Sequence, residues 1–261
     1  MAQRNTILKV ENLKLTFGGV QALKGVSFDV KQHELLAVIG PNGAGKTSVM
    51  NCVNAFYHPQ EGRIFFEDLD ITDLRPDQIA RLGVSRTFQN IQLFVGLSVV
   101  DNLMAARHFK MNYNWVEGAL YFGRARRVEV EHRKIIEDII DLLELEPVRK
   151  QVVETIPYGL RKRVDLARAL VQDPKLLLLD EPMAGMNAEE KEDMVRFIID
   201  VYELWGISVV LVEHDMSVIM DIADRITVLD FGLEIANGTP EEIKGNPKVI
   251  EAYLGKTMGT A

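Results

Sequence analysis

Two stretches of this chain carry residue types that suit phosphate chemistry. The first is Gly40-Pro41-Asn42-Gly43-Ala44-Gly45-Lys46-Thr47, set between the apolar run 35–39 and Val49, Met50, Cys52 and Val53, which recur at helical spacing. The apolar run reads as a fully buried parallel strand, so the octapeptide joins strand to helix, the context a phosphate-binding loop requires. Gly43 and Gly45 admit backbone angles closed to other residues, so successive N–H groups can turn inward around phosphate oxygens. The following helix offers its free N–H groups and positive dipole end to the same anion. Lys46 would reach the β- and γ-phosphates, and the Thr47 hydroxyl would ligate Mg²⁺.

The second stretch is the leucine run 176–179 ending in Asp180-Glu181-Pro182. Consecutive leucines make a buried central strand, and the acidic pair then emerges at its carboxyl end, where ligands of open α/β sheets bind. Asp180 suits a role in holding Mg²⁺, directly or through water, and Glu181 suits polarising an attacking water. Such a pair can also simply cap a turn; beside a phosphate loop, chemistry is the better account. The apolar stretch 208–212 leads to Glu213-His214-Asp215. His214 would then leave the same sheet edge as Glu181, where an imidazole can donate to a γ-phosphate or orient the water.

The elements that must position these groups follow from periodicity. From Ile7 to Phe17 apolar and polar residues alternate, as in a half-exposed strand; Gly18-Gly19 turns the chain, and Val26 and Phe28 alternate again. An antiparallel layer beside the nucleotide core is expected. Phe17 is either ordinary strand packing or a platform for a base. Residues 62–66 read as a strand, 76–82 as a short helix opened by Pro76, and 84–89 as strand-like. From about Val99 to Leu145 the pattern is helical and heavily charged. There Val128, Ile135, Ile136, Ile139, Ile140 and Leu143 fall on one side. Arg124, Arg126 and Arg127 form either a solvated helix end or a docking surface. Trp115, Tyr121 and Phe122 sit in a loop-like insert without a legible purpose. Strand and helix then alternate to the end, with a helix over 188–205, strands near 225–229 and 233–236, and short helices after Pro240 and Pro247.

At 261 residues, 47% of them hydrophobic, the chain suffices for one large domain or a core with a subdomain. A net charge of −8 argues against a nucleic-acid face. The lone cysteine, Cys52, cannot form an internal disulfide and reads as core filler in a reducing compartment. No apolar run approaches the roughly 18–20 residues of a membrane span. The expectation is therefore a cytoplasmic chain whose membrane role, if any, runs through a partner.

The glycine-rich loop, Gln89, Tyr158-Gly159-Leu160-Arg161, the strand ending at Asp180 with Glu181, and His214 occur in the order of an ABC-transporter ATPase subunit, and nearly the whole chain resembles that family. Within it, the chain is similar to the LivG-type ATPases of branched-chain amino acid importers. That narrower likeness rests on Ser85-Arg86-Thr87-Phe88-Gln89, Ile156-Pro157-Tyr158-Gly159, the stretch 181–187 and the tail 238–255. The resemblance implies an α/β P-loop NTPase fold, with a RecA-like parallel-sheet core, an antiparallel β layer and an inserted α-helical subdomain. The expected division is 1–90 and 161–261 for the core and 91–160 for the helical subdomain with the signature. It further implies that Phe17 stacks on adenine and that Asn42, Gly43, Ala44, Gly45, Lys46, Thr47 and Ser48 hold the phosphates. Gln89 would contact Mg²⁺ together with Thr47 and Asp180. Glu181 matches the catalytic base and His214 the switch histidine. Lys46 and Gln89 complete that catalytic set, and Tyr158, Gly159 and Leu160 face the opposing nucleotide.

The implied cofactors are ATP and Mg²⁺. The implied partners are a second ATPase subunit, membrane permeases touched by the helical segment after Gln89, and a binding protein outside, which place the chain on the cytoplasmic face of the cell membrane. Two departures stand out. Ile156-Pro157-Tyr158-Gly159-Leu160 replaces the usual Leu-Ser-Gly-Gly-Gln and lacks its serine, and Asn187 stands where an aspartate is common. Both point to a heterodimer with unequal sites. Among other readings, a urea or short-amide importer is the nearest. A chromosome-maintenance ATPase needs a long coiled coil, for which the about 65 residues between Gln89 and Ile156 are too few at about 1.5 Å of rise each. A ribosome-acting protein would ordinarily carry two cassettes in one chain, and a small-molecule kinase would leave Gln89, the signature and His214 without a purpose.

Overall fold

The buried strand β3 (Leu35–Ile39) and its neighbours set the frame of the site. In a computed structural model that describes residues 4–110 and 124–254, the chain divides into two units. The first comprises the residues up to Arg86, Lys175–Glu181 and those from Ile198 onward; the second comprises Thr87–Pro174 and Pro182–Phe197. The expected helical segment 91–160 lies inside the second unit, which is larger than that segment.

In the first unit β1 (Thr6–Phe17) and β2 (Val20–Lys31) pair antiparallel, and β4 (Glu61–Phe66) and β5 (Leu69–Asp70) extend them in the order β2-β1-β4-β5. The alternation along β1 sends Leu8, Val10, Leu13 and Leu15 inward. The other sheet runs β10-β9-β3-β8-β7-β6, with β6 (Val84–Arg86), β7 (Leu176–Asp180), β8 (Ser208–Val212), β9 (Arg225–Asp230) and β10 (Leu233–Gly238). Strands β9, β3, β8, β7 and β6 are mutually parallel, and β10 pairs antiparallel at the edge. Every residue of β3, β7 and β8 is buried, as their apolar runs require. Helix α1 (Lys46–Val53) contributes Val49, Met50, Cys52 and Val53 to the same core as the inward faces of both sheets. Burial pushes the Cys52 thiol up to about 12, which leaves it an inert filler.

The stretch 84–89 is strand only as far as Arg86; Thr87–Gln89 leave the sheet. Helix α2 (Pro76–Leu82) precedes β6 and ends at Gly83 in the left-handed region. The described helices of the second unit include α3 (Val99–Arg107), α4 (Arg124–Leu142) and α5 (Tyr158–Leu170), with the first part of α6 (Ala188–Trp205). The apolar stripe on α4 buries Ile136, Ile139 and Ile140, with Leu143 just beyond. Arg124, Arg126 and Arg127 open this helix, their side chains and that of Val128 lying outside the described set, as do Trp115, Tyr121 and Phe122. Buried Asn102 ties α3 to the segment after Gln89: its Oδ1 accepts from Phe94 N at 2.8 Å, and its Nδ2 donates to Phe94 O at 3.2 Å. Helix α7 (Met216–Ile222) follows β8, and the short helices α8 (Pro240–Lys244) and α9 (Pro247–Leu254) follow β10.

Candidate functional site

Strand register gathers the candidate groups. Val38 on β3 pairs with Val212 on β8, and Val212 pairs with Asp180 on β7, so these three stand at one level across the sheet. Gly40, Glu181 and Glu213-His214 therefore leave the same carboxyl edge within one or two residues of it. This is the edge at which open parallel sheets bind ligands.

The loop from Gly40 to Thr47 is built as its glycines foretell. Gly43 and Gly45 have φ of 81° and 105°, in the region that excludes ordinary side chains, and a Cβ at Gly45 would stand 2.9 Å from Ala22 O. The loop is also stitched down from outside. Gly232 N donates to Ala44 O at 2.9 Å, and Lys24 N donates to Gly232 O at 2.8 Å, so the β9–β10 turn and β2 both brace it. Lys46, the first residue of α1, is buried and folds back over the loop, with Nζ donating to Gly40 O at 2.7 Å and Pro41 O at 3.1 Å. Asn42, Gly43 and Thr47 are exposed, Gly45 and Ser48 are half-buried, and Ala44 is buried.

At the end of β7 the acidic pair takes two different environments. Asp180 is buried, and its Oδ2 accepts from Arg86 Nη2 at 2.7 Å. Its Oδ1 is buried without a hydrogen-bond partner among the described residues. Glu181 stands in the left-handed region at φ 49°, a conformation that costs a non-glycine residue about 1 kcal/mol or more and recurs at functional sites. Its N–H donates to Val212 O at 2.9 Å, which ties the strained turn to β8. Glu181 Oε1 lies 2.6 Å from His214 Nε2, so the carboxylate and imidazole form a hydrogen-bonded pair.

The oxygen donors fit Mg²⁺, a hard cation that prefers one or two protein oxygens plus phosphate and water. Asp180 Oδ1 is an oxygen with its capacity unused, and Thr47 is the second residue of the helix that follows the loop.

Phe17 ends β1 with its ring partly exposed, in edge-to-face contact with Tyr57 at a centroid distance of 4.9 Å. Tyr57 is a partner that the sequence reading missed. Gln60 holds the segment after α1 against β1: its N donates to Lys14 O at 2.9 Å and its Oε1 accepts from Thr16 N at 2.9 Å.

The remaining expected residues lie in the second unit. Gln89 is exposed, and its carbonyl accepts from Lys162 Nζ at 3.2 Å. Tyr158 is the first residue of α5, Gly159 is buried and Leu160 half-buried. A Cβ on Gly159 would meet Glu190 Oε1 at 2.2 Å. The Tyr158 hydroxyl donates to Ala184 O at 3.4 Å, so the ring bridges the start of α5 and the segment before α6. Asn187 caps α6 reciprocally, with Oδ1 accepting from Glu190 N and Glu190 Oε2 accepting from Asn187 N, each at 3.0 Å. Asn51 was also passed over in sequence, and Arg86 entered only as a member of the stretch 85–89, with no role of its own. A cation in a strand otherwise made for burial was the available signal.

Comparisons with known proteins agree with this arrangement. The profile of the family described as "ABC transporter" matches residues 23–184, and that of "Branched-chain amino acid ATP-binding cassette transporter" matches residues 234–257. The chain is 40% identical over 250 residues to the high-affinity branched-chain amino acid transport ATP-binding protein BraF of Pseudomonas aeruginosa, covering 96% of this chain and 98% of that protein. This chain is an ABC-transporter ATP-binding subunit. The cassette is likewise 38% identical to LivG of Escherichia coli K12, again over 96% and 98% of the two chains. A solved nucleotide-free cassette from an ABC transporter superposes with a TM-score of 0.81 at 30% identity, over 95% of this chain and 98% of that one. Another cassette, in its ADP conformation, gives a TM-score of 0.82 at 28% identity, over 96% and 99%. The cassette thus has the ABC ATPase fold expected of it. No helix among its described residues is long and apolar enough to cross a membrane.

Proposed function

We propose that this cassette hydrolyses ATP to energise an importer of branched-chain amino acids. The observation that carries the ATPase reading is the shared sheet edge, where the glycine-rich loop, Asp180, Glu181 and His214 leave neighbouring parallel strands. The cargo reading draws on the match over residues 234–257 and on the names of relatives that align nearly end to end.

In this reading the N–H groups of the segment from Asn42 to Ser48 bind the phosphates, and Phe17 offers its exposed face to the adenine. Lys46 exchanges the carbonyls of Gly40 and Pro41 for β- and γ-phosphate oxygens. Thr47 and Asp180 would hold Mg²⁺, which would offset the negative charge developing on the phosphate oxygens during transfer. Glu181 takes the proton of the attacking water, and His214 fixes the rotamer of Glu181 through their hydrogen bond. Gln89 and the segment after it report nucleotide state to the permease. Phe94, Val95 and Leu97 are exposed apolar residues there, beside a groove of about 290 Å³ lined by Asn90, Ile91, Val95, Glu154 and Arg161. They suit a partner helix from a membrane subunit, which would hold the cassette at the cytoplasmic face of the cell membrane.

The segment Ile156–Leu160 has no serine to meet an opposing γ-phosphate, and Asn187 is engaged in capping α6. The working unit is accordingly a heterodimer, in which a second ATPase subunit completes the site built on Lys46 and Glu181. The test is reconstitution in lipid vesicles with the permeases, the second ATPase subunit and the external binding protein. Leucine-loaded binding protein should raise ATP turnover and drive leucine uptake. Stimulation by urea and not by leucine would overturn the cargo reading, and equal turnover per site in a pure homodimer would overturn the heterodimer.

A further inference from the structure

Strand β6 carries a charged residue, Arg86, whose side chain is only 3% exposed. Pairing of Arg86 with Leu178 on β7 puts it level with the residue two before Asp180, hence on the face that Asp180 shares. The guanidinium is forked: Nη2 donates to Asp180 Oδ2 and Nη1 donates to Asn51 Oδ1, both at 2.7 Å. Asn51 lies on α1 four residues after Thr47, one helical turn further along the same face. A single planar cation therefore joins the helix that bears one candidate Mg²⁺ oxygen to the carboxylate that bears the other.

Stability alone explains this poorly. Removing an arginine and a carboxylate from water is costly, and buried ion pairs often stabilise a fold no better than apolar residues of the same volume. Here the pair also leaves Asp180 Oδ1 buried and unbonded, a further cost that a fold-stabilising pair would avoid. Occupying one carboxylate oxygen fixes the other in direction and rotamer, which is how outer partners orient metal ligands.

We propose that Arg86 is a positioning residue for the metal-nucleotide site. Its fork between Asn51 and Asp180 presents Asp180 Oδ1 to Mg²⁺ and couples that carboxylate to the helix carrying Thr47. The inference rests on the reading of Asp180 as a Mg²⁺ ligand given above. It assigns a role to Arg86 that its charge alone would not supply, since lysine has one donor point where the fork needs two.

Equilibrium binding of a fluorescent ATP analogue, in excess Mg²⁺ and in EDTA, tests this without requiring turnover. The quantity read is the ratio of the two affinities. Arg86→Gln should lower that ratio by about tenfold or more, the usual effect of losing an outer partner of a metal ligand. Arg86→Lys, which keeps the charge, should lower it as well, and Asn51→Ala should lower it by a smaller factor. Circular dichroism establishes that each variant is folded; if Arg86→Gln is not, Asn51→Ala and Arg86→Lys decide the matter. An unchanged ratio in the folded variants overturns the proposal, and a ratio retained by lysine alone reduces Arg86 to a counter-charge and overturns the fork. Asp180→Asn is the control: if it keeps the full ratio, the assignment of Asp180 to Mg²⁺ fails instead.

Discussion

Replacing Asp165 by asparagine should tilt stability against pH in the direction opposite to that of most carboxylates. Asp165 lies on α5, 5% exposed. Burial outweighs the opposing influence of Arg168, the Phe88 N–H and Lys162, and pushes the carboxyl from 3.8 up to about 6. Between those two values the folded protein keeps a proton that the unfolded chain has lost, so stability falls as pH rises through that window. Above it the cost of the buried charge is complete. A shift of about two units at 1.36 kcal/mol each amounts to about 3 kcal/mol. Asparagine cannot ionise, yet it retains an oxygen that can accept from Phe88 N, now 3.4 Å from Asp165 Oδ2. At pH 4 the unfolded carboxyl is already partly ionised, so the unfolding free energy of Asp165→Asn relative to wild type should rise by about 2 kcal/mol between pH 4 and pH 7.5. Urea titrations followed by circular dichroism at several pH values give this difference directly. Any constant offset from repacking cancels, because only the change with pH is at issue. Parallel profiles for the two proteins would show that the ionised carboxylate is fully compensated in place and that burial does not govern it.

Four further outcomes follow from the same geometry. Glu181→Gln should keep nucleotide affinity while cutting turnover on the order of a hundredfold or more, the usual worth of a general base; normal hydrolysis by this variant removes Glu181 from that role. Lys46→Ala should instead weaken nucleotide binding itself, read by titration with a fluorescent analogue, whereas undiminished affinity would place the phosphates elsewhere. Gly45→Ala forces a Cβ onto a residue at φ 105° and to 2.9 Å from Ala22 O, and it should lower the melting temperature as well as nucleotide affinity; a variant as stable as wild type would mean that the loop relaxes freely. His132, which accepts from Arg107 Nε at 2.6 Å, is held below the ordinary histidine range by burial and then by the Arg107 charge. Its contribution is present above the ordinary histidine value of about 6.5 and is lost as pH falls below it toward the depressed folded value. His132→Gln should thus flatten the acid side of the stability profile, and an unchanged profile would count against the pairing.

The parts of the fold legible in sequence are those governed by one strong local signal. The buried strand β3 is an uninterrupted apolar run, as are β7 up to Asp180 and β8 after Ser208. Helix α2 carries its proline at the start, and α6 follows an asparagine cap and keeps helical spacing to Trp205. The reading overran at 84–89 because Thr87 and Phe88 have strand propensity, whereas pairing with β7 ends at Arg86. Propensity is local, and the end of a ladder is decided by the partner strand.

The candidate site was legible in its residue types and obscure in its couplings, for a physical reason. A glycine at a forced backbone angle or a carboxylate after a buried strand declares itself within a few positions. A hydrogen bond between Glu181 and His214, or a guanidinium spanning Asn51 and Asp180, joins positions 33, 35 and 94 residues apart in sequence. Only strand order brings them together: β7 lies between β6 and β8, so of the adjacent acids at its end Asp180 is reached by Arg86 from one side and Glu181 by His214 from the other. The strained backbone of Glu181 belongs to the same logic. Its φ of 49° turns the chain sharply out of β7, so that Asp180 is retained inside the sheet edge while Glu181 is carried out to meet His214. Two adjacent carboxylates thereby acquire a buried and a partly exposed environment, which is the separation their proposed tasks as metal ligand and general base require.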